Sequence, residues 1–151
     1  MLGIVVTSYL PHYFLYHSEL LSKLDDTYKP VFVTSHENHN FVKMVGGAGK
    51  HDGTFHLISN VVEFLEGCDY VLHYHGDIFF RDGIDLITST YKKVKEGNYK
   101  IAGIPRHWLF DDNMKYTNNC SLPVHFDFTM VKYDLFKSIF NIQNLNKYKE
   151  L

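Results

Sequence analysis

Cysteine is scarce in this chain: two of 151 residues, Cys68 and Cys120. Two thiols exclude a disulfide scaffold, and a reducing compartment is the default for such a composition. Long apolar runs are missing as well, and none approaches the roughly 18–20 residues of a membrane span. The opening residues MLGIVVTSYLPHYF carry neither a basic n-region nor a small-residue cleavage site, so a cytoplasmic setting is expected rather than secretion. Neither charge sign dominates: 15 Lys+Arg stand against 17 Asp+Glu, net −2. That balance excludes an overall electrostatic grip on bare nucleic acid. No repeat, linker or low-complexity segment interrupts the chain.

The hydrophobic fraction is 45%, enough for a real core and against disorder. At roughly 100–200 residues per domain the length predicts one domain, residues 1–151. Aromatics reach 16% and histidines number 10.

Short β-branched runs alternate with amphipathic stretches. Gly3–Ser8 and Pro30–Ser35 are apolar segments ending in hydroxyls, the pattern of strands buried on both faces. Between them, Pro11 suits a helix start, with Phe14, Leu20, Leu21 and Leu24 as an apolar stripe. A glycine cluster, Gly46-Gly47-Ala48-Gly49, precedes Thr54. Ile58, Val61, Val62 and Leu65 then predict one amphipathic helix closed by Gly67. Asp69–His75 predicts a third strand. Ile84, Ile87, Tyr91 and Val94 mark a helix ending at Gly97. Tyr99–Ile104 and Val124–Val131 predict further strands around a polar loop at 106–121, and Leu135, Ile139 and Phe140 a last helix. The tail from Asn141 is polar. This alternation predicts a three-layer α/β/α architecture with a mostly parallel sheet. Ligands of such sheets sit beyond the carboxyl ends of the strands. The residues of interest are therefore Thr7-Ser8-Tyr9, Ser35-His36-Glu37, His75-Gly76-Asp77, Pro105-Arg106-His107 and His125-Phe126-Asp127.

Lys50 after Gly49 invites comparison with a phosphate-binding G-x-x-x-x-G-K-[ST] loop. Met44 holds the first glycine position and His51 replaces the hydroxyl residue, so the pattern fails. His73-Tyr74-His75-Gly76-Asp77 resembles the H-x-H-x-D-H motif of metallo-β-lactamases, but Ile78 stands where the last His belongs. Strand alternation puts His73 and His75 on one face, where His73 is expected to be a core histidine.

The stretch Tyr70–Phe80 resembles the strand that enters the D-x-D motif of GT-A glycosyltransferases, family 2-like. Asp77 matches the last Asp, and His75 stands in place of the first. Gly3–Tyr9, Pro30–Ser35, Gly49–Gly53 with the helix after it, Ile101–Arg106 and His125–Val131 with Asp134-Leu135-Phe136 are similar to successive segments of that family, so the likeness spans residues 3–140. It implies a minimal GT-A-like domain that moves a sugar from a UDP- or GDP-linked nucleotide donor to a hydroxyl acceptor. It also implies a divalent metal on the diphosphate, held by His75, Asp77 and His125. A histidine ligand favours Mn²⁺ over Mg²⁺. Thr7, Tyr9 and His36 would then meet base and ribose. Asp52 would hold ribose or sugar hydroxyls, and Lys50 or Arg106 would neutralise phosphate charge. Asp77 and Asp127 are the catalytic candidates, Asp127 as the base on the acceptor. Trp108, in a loop suited to a lid, is placed to stack on an acceptor. A metal hydrolase using His73, His75 and Asp77, and a non-catalytic nucleotide-sugar-binding module, remain the alternatives.

Overall fold

The computed structural model describes residues 1–8, 10, 12–34, 43–44, 52–105, 124–141 and 143–144. The elements run β1 (Leu2–Thr7), α1 (Tyr13–Leu21), β2 (Tyr28–Thr34), β3 (Lys43–Met44), α2 (Asp52–Ser59), a 3₁₀ turn (Val62–Leu65), β4 (Tyr70–His75), α3 (Asp85–Glu96), β5 (Ile101–Pro105), β6 (Val124–Lys132) and α4 (Tyr133–Ile139).

The six strands lie in the order β3-β2-β1-β4-β6-β5. β1 pairs in parallel with β2 and β4, and β2 with β3. β6 is antiparallel to both β4 and β5. The expected mostly parallel sheet is therefore mixed: one reversed strand is inserted between two that run the same way. Alternation of side chains cannot reveal this, because strand direction leaves the period of two unchanged. Pro30 sits inside β2 opposite Ile4, whereas β3 pairs only with Val33 and Thr34. The missing Pro N–H thus falls where β2 has no described outer partner.

Each sheet face has its own core. On one, Leu2, Ile4, Val6, Leu72, Tyr74 and Met130 pack under Phe14, Leu20 and Leu21 of α1 and Ile87, Tyr91 and Val94 of α3. On the other, Val5, Val33, Val71 and Val131 meet Leu57 and Ile58 of α2, Val62 and Leu65 of the 3₁₀ turn, and Phe136 of α4. The three layers of the sequence reading are present. The single helix expected over Thr54–Leu65 is instead α2 followed by the 3₁₀ turn. Gly3 is why that turn can lie flat on β1: a Cβ there would stand 2.8 Å from Leu65 Cδ2 and 3.3 Å from Cys68 Sγ. α3 carries Asp85 in its first turn and Lys93 and Lys95 in its last, matching the helix dipole at both ends.

Candidate functional site at the carboxyl edge of the sheet

Leaving β1 the chain turns to β2 on one side, while β4 lies against β1 on the other and leads away toward β6 and β5. The carboxyl ends of β1 and β4 therefore flank a topological switch point, where ligands of open α/β sheets bind. Ser8 and Gly76–Asp77 are the residues emerging there.

Gly76 is the point of closest approach. Its N–H donates to the Thr7 carbonyl across 2.8 Å. A Cβ at Gly76 would come within 2.8 Å of Ser8 Cβ and 3.5 Å of Tyr13 Cβ. Only glycine lets the two strand ends and the start of α1 meet so closely.

The α1 side of this edge contains a buried polar chain. His17 Nε2 lies 2.8 Å from the Gly76 carbonyl and His17 Nδ1 lies 3.2 Å from the Tyr74 hydroxyl. A carbonyl can only accept, so Nε2 carries the proton and donates, and Nδ1 accepts from Tyr74. Burial lowers the His17 pKa below its usual 6.5, against the opposing pull of the Gly76 carbonyl. Burial likewise raises that of Tyr74. The chain is thus held neutral, with both partners satisfied.

The opposite face of the same edge is polar too. Strand alternation puts Thr7, His73, His75, Asp127 and Thr129 on the α2–α4 face with Val5, Val71 and Val131. Thr7 Oγ1 and His73 Nε2 are 2.8 Å apart in the interior. The His73 and His75 rings meet edge to face at 5.3 Å. His75 Nδ1 is 3.8 Å from Asp127 Oδ1, with side chains 34% and 59% exposed. His75 Nε2 is buried with no hydrogen-bond partner among the described residues.

Of the residues singled out from sequence, the structure brings together Thr7, His75 and Asp127. Thr7 turns its hydroxyl inward to His73, which makes His73 the core histidine expected. Asp77 stands exposed on the turn after β4, and no hydrogen bond or ion pair engages it among the described residues. Tyr9, His36, Lys50, Arg106 and Trp108 lie outside the described residues, as do the glycine cluster and the 106–121 loop. Asp52 opens α2 and His125 lies in β6, but their side chains lie outside the described part. Among the described residues no three His, Cys, Asp or Glu side chains converge to hold a metal ion. His75 and Asp77 therefore do not by themselves make a chelating set.

Sequence reasoning missed His17 and Tyr74. The signal was present in the spacing: Phe14, His17 and Leu21 fall at i, i+3 and i+7, placing His17 on the buried stripe of α1.

No protein-family model matches the chain, and no curated protein does. Among solved structures, the chain is similar to 4-diphosphocytidyl-2C-methyl-D-erythritol synthase from Anaerococcus prevotii DSM 20548. The TM-score is 0.51 at 11% identity, over 100% of this chain and 76% of that one. The α/β fold is therefore shared with a synthase whose name contains a diphosphocytidyl group.

Proposed function

We propose that the chain is a glycosyltransferase moving a sugar from a UDP- or GDP-linked donor to a hydroxyl acceptor at the carboxyl edge of the sheet. The observation that carries this reading is Asp77: a carboxylate exposed and unengaged among the described residues, on the turn beside the β1–β4 switch point. The fold likeness to a diphosphocytidyl synthase supports a nucleotide at this edge.

In the transfer, the acceptor oxygen bonds to the anomeric carbon as the bond from that carbon to the diphosphate oxygen breaks. The nucleoside diphosphate leaves with the electron pair, and Asp127 takes the acceptor proton. A bare carboxylate repels a diphosphate. Asp77 can therefore serve the donor through a cation or by accepting hydrogen bonds from sugar hydroxyls. The GT-A likeness implies such a cation, Mn²⁺ rather than Mg²⁺, at His75, Asp77 and His125. Of that set His75 and Asp77 are described in full, and both stand at this edge.

Titration with UDP- and GDP-sugars, with and without Mn²⁺, tests the proposal. A donor at 100 times its Kd adds about 2.7 kcal/mol of stability. If no nucleotide sugar raises the melting temperature under either condition, the proposal fails. A second reading, transfer of a nucleotidyl group onto a phosphate, is favoured by the likeness to the synthase. The product separates the two: glycosyl transfer releases a nucleoside diphosphate, nucleotidyl transfer pyrophosphate.

A further inference from the structure

The residue two positions beyond Asp77 is an exposed aromatic. Phe79 is 57% exposed, although Phe80 beside it is buried and Ile78 before it packs on the core. A free phenyl ring on a turn is commonplace, but this one is held. Tyr16 meets it at 5.0 Å and 59°, Tyr13 at 5.9 Å and 75°, and the His17 ring lies beneath at 6.2 Å and 24°. Tyr16 is itself 38% exposed. Tyr13 stands on Gly76, and the His12 ring lies tilted against Tyr13 at 4.3 Å and 45°. The first turns of α1 and the turn after β4 thus present one aromatic surface beside Asp77. Its hydroxyls and an imidazole provide hydrogen-bonding groups among the rings.

We propose that Tyr13, Tyr16 and Phe79 form a carbohydrate platform that stacks a pyranose ring of the acceptor. An edge-to-face contact from Tyr13 and a tilted one from Tyr16 keep Phe79 in place before a ligand arrives, which lowers the ordering cost of binding. A pyranose offers an apolar C–H face to such rings and hydroxyls at its rim to Tyr13, Tyr16, His12 and Asp77. Size argues against a protein partner. At about 150–250 Å² per aromatic side chain, Phe79 and Tyr16 together expose about 200 Å². A stable interface needs about 800 Å² from each side, several times what these two rings expose. Continuity with Asp77 places that ring at the edge where transfer is proposed. The assignment of the ring to an acceptor rests on that proposal; the platform itself does not.

The test uses the whole chain without nucleotide. Maltotriose, cellotriose, chitotriose and the methyl glycosides of glucose, galactose and mannose are titrated while the Tyr and Phe ring resonances are followed. We expect at least one saccharide to shift Tyr13, Tyr16 and Phe79 together. Phe79→Ala should weaken its binding at least tenfold while keeping a dispersed amide spectrum, and Tyr16→Ala serves if that variant does not fold. The proposal is overturned if no saccharide moves these rings, or if Phe79→Ala and Tyr16→Ala bind as tightly as the parent. It is also overturned if free uridine or guanosine moves the rings and sugars do not, or if Phe79→Ala converts a dimer to a monomer. A failed donor titration with a positive saccharide titration would refute the transfer reading alone.

Discussion

The imidazole of His17, on α1, donates through Nε2 to the carbonyl of Gly76 across 2.8 Å, and so ties a helix on one face of the sheet to the turn that carries Asp77. The Tyr74 hydroxyl completes the arrangement at His17 Nδ1. One residue of α1 and two at the end of β4 thus set the backbone from which the candidate carboxylate projects.

Replacing His17 with Phe leaves the Gly76 carbonyl and the Tyr74 hydroxyl buried without partners. At about 1–3 kcal/mol for each unsatisfied group, the expected loss is about 2–6 kcal/mol, measured by denaturant unfolding. Adding Tyr74→Phe should cost less than the two single changes summed, because both remove the same hydrogen bond. Strict additivity in that cycle would refute the network.

Acid should weaken this arrangement. Burial depresses the folded-state pKa of His17 below 6.5, so below 6.5 the unfolded chain binds the proton more readily. The contribution of His17 is complete above 6.5 and is lost as pH falls from there toward the depressed folded value. Unfolding free energies of the parent and of His17→Gln across pH 5–8 check this. Their difference should shrink on acidification, and a constant difference would contradict it.

Gly76→Ala puts a methyl group 2.8 Å from Ser8 Cβ. An overpacking cost of about 1–3 kcal/mol is expected. Ser8→Gly in the same chain should recover part of it by clearing the space. Thermal unfolding of the two single variants and the double variant reads out the relief.

Asp77 is exposed and unengaged among the described residues, so Asp77→Asn should shift stability by no more than about 0.5 kcal/mol. Sugar-nucleotide turnover should fall at least tenfold in the same variant. Parent-like turnover would remove Asp77 from the mechanism.

Asp127 lies 3.8 Å from His75 Nδ1, with both side chains in contact with solvent. Such a pair contributes at most about 1 kcal/mol. Loss of this pair in Asp127→Asn should therefore cost no more than about 1 kcal/mol, while kcat falls. A donor KM close to the parent value would mark loss of the acceptor base; a rise in KM alone would assign Asp127 to donor binding instead.

Local order was readable from the residues because it follows from local physics. The β-branched runs at Gly3–Ser8 and Asp69–His75, and the stripe Ile87-Tyr91-Val94, announce their elements through burial patterns that neighbours in sequence impose. Alternation likewise put His73 and His75 on one face. Placing Asp77 at the rim followed from its position just past an apolar strand. The reversal of β6, the break between α2 and the 3₁₀ turn, and the short β3 were not readable. Strand direction and helix continuity depend on contacts made far along the chain.

The same division holds at the site. Residue chemistry and spacing alone decided that polar groups would gather where strands end, because an apolar strand must surface somewhere. Only the assembled tertiary structure decided which of those groups meet. It paired Thr7 with His73 in the interior, set His75 beside Asp127 across two antiparallel strands, and brought His17 to Gly76 and Phe79 to Tyr16. Each of these contacts needs two segments that chain proximity does not bring together, and only packing both faces of the sheet fixes their separation.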